Sequence, residues 1–339
     1  MNSSRMGSRP ARALAAAAIF AAAALSLPAQ AADFTMKIGF PTINDPNHEW
    51  AKWYKEALEK ATKGRIEVKI FPASQLGPIP REIEGVQLGT IEAFITPTDF
   101  YVGLEPRYGV FSIPTLFKDM KNAADTLADP ALNREILSMA ESKGLVGVGV
   151  YVASAADYLA KTPLRTINDF KGKKFRINAT AAERERMRLL GAAAIPMPLT
   201  EVLPGLERGV VDGTQSTISV FVNFKFYDIA KVLTQTDDTV ICPIMFFSKV
   251  WLDRLPPDLR KIVLDEAKKL QPRVQQEAFT STEVARNRWK AAGGEIIKLS
   301  PSDQAKLIAL LKTVGDTVTK SDPSLNAFYK KVQAAAAKH

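Results

Sequence analysis

Between residues 34 and 97 the spacing of apolar residues switches back and forth between two periods. "FTMKIGFPT" (34–42) alternates apolar and polar and predicts a strand. "HEWAKWYKEALEKATKG" follows with Trp50, Trp53, Tyr54, Ala57, Leu58 and Ala61 at helical spacing, closed by Gly64. "RIEVKIFPASQLG" predicts a strand and a turn, and "IPREIEGVQLGTIEAFITP" a helix, a stop at Gly89 and a strand ending near Pro97. A β-α-β-α-β order within about 70 residues confines this region to an α/β domain with a mainly parallel sheet. Such sheets bind ligands beyond the carboxyl ends of their strands. The candidate loops are therefore "PTINDPNHEW", "PASQLGPIP" and "TPTDFY".

The chain is 339 residues long, and the first 31 predict an export signal rather than folded structure. Arg5, Arg9 and Arg12 precede an Ala-rich apolar run that ends in "PAQA", where Ala29 and Ala31 suit a cleavage site. The remaining 308 or so residues exceed one ordinary core and predict two domains. Loss of the three arginines lowers the formal charge from +9 to about +6, mildly basic. There is no basic and aromatic interleaving of the kind that nucleic-acid grooves use. The expected compartment is the bacterial periplasm.

Two long β-rich stretches lack a turn signal in the middle: "LVGVGVYVASAADYLAKTPL" and "VLTQTDDTVICPIMFFSKVWLDRLP". Each can carry the chain from one domain to the other. A second α/β pattern lies between them, running from "NDFKGKKFRIN" to "VVDGTQST". The expected division is 32–153 with 242–281 for one domain and 154–241 with 282–335 for the other. Some 35 helical residues follow "PPDLRK", with Pro272 expected to kink or divide them, and the Ala/Lys tail is expected to fray.

Catalytic patterns are missing. His48 and His339 are the only histidines, and no zinc, nucleophile or phosphate-loop motif occurs. Cys242, the single cysteine, lies in an apolar run and predicts a buried thiol without a disulfide partner. No cofactor and no metal is expected, and binding rather than catalysis is the reading that remains. Arg176 then stands out. In "DFKGKKFRIN" it alternates with Phe175 and Ile177 near the end of a predicted strand, on the side shared by Asn178. A guanidinium there offers two parallel donors to a carboxylate, although a surface arginine on a half-exposed strand would read the same locally.

With these residues in view, the chain resembles the substrate-binding proteins of tripartite ATP-independent periplasmic (TRAP) transporters. The resemblance rests on "FPASQLG" (71–77), "GVQLGTIEA" (85–93), "FSIPTLFKD" (111–119), "INDFKGKKFRI" (167–177), "PMPLTEV" with "LERGVVDG" (196–213) and "LPPDLRKIVLDEAKK" (255–269). It implies two α/β domains around a ligand cleft, crossing strands, and a long hinge-spanning helix near the C-terminus. It implies closure around a small organic acid and delivery to membrane permease subunits, one small and one large. It also implies that Arg176 grips the ligand carboxylate.

Other positions depart from the family pattern. Sialic-acid and C4-dicarboxylate members carry a second arginine about 20 residues earlier, where this chain reads "SAADYLA" with Ala156 and Asp157. Ser216 replaces a frequent asparagine, and a cleft glutamate of sialic-acid members aligns with Pro97. The departures argue against sialic acid and weaken the case for a dicarboxylate. They favour a monocarboxylate with an aromatic, hydroxyl or keto substituent, and leave Asp157 as a receiver for an amine or hydroxyl. Candidate walls are Tyr158, Phe100, Tyr101, Leu199, Phe221 and Phe224. Candidate polar contacts are Thr96, Thr98, Gln215, Ser216 and Asn178, with Asn47, His48 and Trp50 on the first loop. A solute-sensing subunit and a periplasmic hydrolase are the alternatives from other classes.

Overall fold

In the first α/β unit, strand β1 (Phe34–Gly39) buries Met36 and Ile38. Helix α1 (Pro46–Ala61) is started by the Asp45 side chain and by a proline in its first turn. It buries the stripe Trp50, Ala51, Tyr54 and Leu58 at three- and four-residue spacing. β2 (Ile66–Phe71), α2 (Ile79–Leu88) and β3 (Ala93–Pro97) follow. α2 stops at Gly89, whose φ of 74° only glycine adopts without cost. A computed structural model describes residues 32–178 and 180–339, so the expected signal at 1–31 lies outside the described residues.

The chain continues through α3 (Met120–Ala128), α4 (Pro130–Ser138), β4 (Leu145–Val150), β5 (Ser154–Ala160), β6 (Lys174–Ile177) and α5 (Ala181–Leu189). Next come β7 (Ala193–Pro196), α6 (Leu199–Glu207), β8 (Gly213–Ser216), α7 (Ile218–Asn223), β9 (Val232–Ile241) and β10 (Pro243–Ser248). The last part holds α8 (Lys249–Leu252), α9 (Pro257–Lys269), α10 (Gln271–Ala291), β11 (Glu295–Lys298), α11 (Pro301–Leu311), α12 (Val314–Thr319) and α13 (Pro323–Ala336). Two sheets result, one in the order β2-β1-β3-β10-β4 and the other β11-β9-β5-β8-β6-β7. Most neighbours are parallel. β10 and β5 run against both of their neighbours, and both lie just past a crossing between the sheets.

The two β-rich stretches are these crossings. β4 belongs to the first sheet and β5 to the second, with residues 151–153 between them, while Cys242 alone separates β9 from β10. The crossings bond to each other: Tyr151 N–H donates to the Pro243 carbonyl at 3.1 Å, and Ala153 N–H to that of Ile241 at 2.8 Å. α10 joins both units. Its Val274 and Ala278 pack with Trp50, Tyr54 and Phe247 of the first, and its Ala285 and Trp289 with Leu206 and Phe221 of the second. Pro272 lies in the first turn of α10, so it divides the long helical segment after Leu270 instead of kinking it.

The expected fraying of the tail is corrected. α13 runs to Ala336, whose carbonyl accepts from Asn122 Nδ2 at 2.9 Å, and Phe328 meets Phe111 edge-on at 6.0 Å. The terminal helix thus returns to segments of the first unit, Pro106–Ser112 and α3, rather than staying with the second unit up to residue 335. Among the described residues no helix is long and apolar enough to cross a membrane.

Candidate functional site

β6 delivers Arg176 to the end of the second sheet. A capping box holds the turn beyond it: Thr180 Oγ1 accepts from the Glu183 N–H, and the Glu183 carboxylate accepts from the N–H groups of Asn178 and Thr180, both at 3.0 Å. Arg176 is only 4% exposed. Its Nε donates to the Met197 carbonyl at 2.9 Å, which fixes the guanidinium plane, and the residue lines the cleft. Among the described residues no carboxylate lies in ion-pair range. Burial lowers its pKa to about 10, and Glu183 and Asp99 offset part of that through space. Arg176 is therefore a cation at neutral pH, buried at a cleft wall without a direct counter-ion.

The cleft lies between the two units. Thr42, Asp45 and Asn47 after β1, with Ile79, Pro97 and Phe100, form the first wall. Arg176, Asn178, Leu199, Gln215, Ser216 and Ser219 form much of the second, and Ala153, Ile241 and Pro243 of the crossings lie between. The space left is about 50 Å³, well below the roughly 300–1,000 Å³ of typical ligand sites. The walls are nearly shut, so a ligand enters only if they part. Arg176 is the one basic residue among the described lining residues, and Asp45 the one acid. Burial pushes the Asp45 carboxyl up to about 6.

Seven of the expected site residues meet here: Arg176, Asn178, Gln215, Ser216, Leu199, Asn47 and Phe100. Asn178 Nδ2 donates to Asp99 at 3.0 Å, and burial raises the pKa of Asp99. Asn47 is held by Thr42 at 3.1 Å and by the Tyr151 hydroxyl, which donates to it at 2.7 Å.

The other expected contacts lie elsewhere. Thr96 and Thr98 are buried outside the cleft lining. Trp50 stacks on Tyr54 at 4.8 Å in the core. Tyr158 stands edge-on to Phe170 at 5.0 Å, Tyr101 packs on Phe246, and Phe221 packs on Phe226. Phe224 packs at the edge of the same cluster as Phe221. His48 sits at the start of α1, where its Nδ1 accepts from the Asn44 N–H at 3.2 Å. Asp157 is fully buried beside Arg286 at 4.0 Å and does not line the cleft, so it offers no receiver for an amine there. Of the expected apolar walls, Phe100 and Leu199 line the cleft, whereas Tyr101, Tyr158 and Phe221 are packed in the core.

Sequence reasoning passed over Asp45 and Arg186. Asp-Pro before a helical run is a start signal that could have marked Asp45. Arg186 had no such signal, because "AERERMRLL" reads as a solvated helix face. A larger groove of about 680 Å³ lies beyond β9, and three of its cations have carboxylate partners: Arg286 lies near Asp157 and Glu283, Lys298 near Asp237, and Lys121 near Asp125. The cleft differs in that its one basic lining residue, Arg176, is nearly fully buried and has no ion-pair partner among the described residues.

The family model for bacterial extracellular solute-binding proteins, family 7, matches residues 40–322. This chain belongs to that family. It is similar in structure to a TRAP periplasmic solute-binding protein from Xanthobacter autotrophicus Py2 with bound β-D-galacturonate. That likeness has a TM-score of 0.82 and 29% identity over 88% of this chain and 99% of the other. Two relatives are the 2,3-diketo-L-gulonate-binding periplasmic protein of Escherichia coli K12 and the C4-dicarboxylate-binding periplasmic protein of Rhodobacter capsulatus. The first is 29% identical over 85% of this chain and 82% of the relative, the second 30% over 70% and 72%. The two-sheet α/β architecture is that of the TRAP solute-binding proteins.

Proposed function

We propose that this family 7 protein is the periplasmic receptor of a TRAP transporter, and that it captures a small organic acid carrying one carboxylate and several oxygen substituents. The observation that carries this reading is Arg176: a buried cation that lines the cleft, fixed at Nε, with no carboxylate in ion-pair range among the described residues. A carboxylate matches that pair of donors. The rest of the lining is neutral amide, hydroxyl and apolar surface apart from Asp45, which suits hydroxyl and keto groups better than a second charge. Likeness to a receptor with bound β-D-galacturonate and to a 2,3-diketo-L-gulonate-binding protein supports an acidic sugar derivative. The open form admits the acid, Arg176 holds it, and contacts from both walls favour closure. The closed receptor then delivers it to the small and large permease subunits.

The test is a thermal-shift panel on the mature chain after unfolding, ligand removal and refolding. It contains galacturonate, 2,3-diketo-L-gulonate, succinate, aromatic acids, amino acids and neutral polyols. A ligand at 100 times its Kd stabilises by about 2.7 kcal/mol, which gives a shift of several degrees. The expected hits are sugar acids. Arg176→Ala is expected to lose at least about 2–3 kcal/mol of binding by calorimetry. A hit confined to succinate redirects the reading to dicarboxylates, and retained affinity in Arg176→Ala removes the clamp.

A further inference from the structure

Gln215 is the cleft residue whose side chain is held from behind. Its amide oxygen accepts from Nη2 of Arg186 on α5. Arg186 is 1% exposed, with Nη1 3.3 Å from Asp238 and the guanidinium 5.8 Å from the Tyr158 ring centre. Buried Asp238 and the ring hold this arginine in place. A guanidinium carries donors only and stays protonated, so the amide atom that meets it must be oxygen. The Gln215 NH2 group is thereby turned away from Arg186. Its Nε2 is buried and has no partner among the described residues. A buried donor without an acceptor is rare and calls for an explanation.

Strand register sharpens the point. Arg176 pairs with Thr214, and Tyr158 with Gln215, so Arg176 and Gln215 project from opposite faces of the sheet where β6 and β8 end. A ligand held by both must span the sheet edge. We propose that Arg186 is a positioning residue that locks the Gln215 amide with its NH2 toward the ligand. The cleft then selects acids that present an acceptor oxygen there while Arg176 holds the carboxylate. This rests on the receptor reading of the cleft. A hydroxyl, keto or second carboxylate oxygen meets the requirement, and a plain alkyl or aryl acid does not.

Two measurements on the mature chain test it. In the first, the Gln215 side-chain NH2 signals are assigned by their loss in Gln215→Met and followed by NMR in the ligand-free protein. Arg186→Lys keeps the charge but loses the planar fork. It is expected to shift those signals while most backbone signals stay. Unmoved Gln215 signals in folded Arg186→Lys overturn the proposal, whether or not any acid binds. In the second, galacturonate binding is measured by calorimetry in both single variants and in the double variant. Each single change is expected to weaken binding at least tenfold, and the double change no further than the worse single one. Additive losses would make Arg186 a structural residue only. Failure of every panel acid to bind wild type would sink the receptor reading, while the amide signals still decide the role of Arg186. Should Arg186→Lys not fold, cyclohexanecarboxylate decides: equal affinity for it in wild type and Gln215→Met, beside a tenfold loss of galacturonate, supports selection at Gln215. An equal loss of both acids overturns it.

Discussion

Glu82 shows how much a single residue can set against stability. It lies on the inner face of α2, fully buried, and neither carboxylate oxygen has a partner among the described residues. Gly39 leaves room for it, since a β-carbon there would sit 2.1 Å from Oε2. Burial pushes the Glu82 carboxyl up to about 8. The folded protein therefore holds a proton that the unfolded chain releases near its ordinary value of 4.5. The stabilisation is complete below about 4.5 and is lost as pH rises through 8. Glu82→Gln stays neutral, so its advantage over wild type should grow between pH 5 and 8 by about 3–4 kcal/mol. Urea denaturation at the two pH values checks this, and an equal change in both proteins would show that Glu82 titrates normally. Cys242 belongs to the same scale: it is 2% exposed, and burial raises its pKa, so a thiol reagent should label it only when the protein opens or unfolds.

At the scale of elements, the capping box at α5 links helix stability to the cleft. Glu183 binds the backbone of Asn178 as well as of Thr180. Thr180→Ala should cost about 1 kcal/mol in denaturant unfolding and also weaken ligand binding, because the turn carrying Asn178 loses an anchor. An unchanged Kd would separate the cap from the site. On the other side, Gln275 of α10 grips the first crossing, accepting from Val152 N–H at 2.9 Å and donating to its carbonyl at 3.1 Å. Gln275→Ala exposes two backbone groups in a buried crossing and should destabilise by about 1–3 kcal/mol, again read by denaturation. The strands, α1 and α2 of the first unit were legible from periodicity and from the Gly89 stop. The interruption at Pro272 was legible as a kink or a division, and packing on two cores decides that it is a division.

For the whole molecule, the nearly closed cleft predicts a measurable motion. Small-angle scattering of stripped protein should give a larger radius of gyration than this structure, and saturating ligand should bring it down to the value of the closed form. No change on binding, in a protein that calorimetry shows to bind, would remove hinge closure. The strain is expected at residues 151–153 and Cys242, where the two crossings lie side by side and join the units. α10, seated on both cores, limits how far they can part.

Several things about this protein could be read from the chain alone. The switching of apolar period specified α/β units, because strands and helices bury one face each at fixed spacing. The lack of histidine and cysteine motifs left binding as the expected role. Arg176 was conspicuous because a charge that stays protonated alternates there with apolar residues near the end of a strand. Tertiary structure decided the rest. Whether Trp50, Tyr158 or Phe221 lines a cleft or fills a core depends on which elements pack against it, and an aromatic ring suits either place. Asp157 and Gln215 sit on neighbouring strands, yet one faces Arg286 and the other lines the cleft. Arg186 looked like a surface residue until the fold buried it against Asp238, Tyr158 and Gln215. Local sequence sets the period and the caps, whereas the partner across a cleft is set by residues far away in the chain.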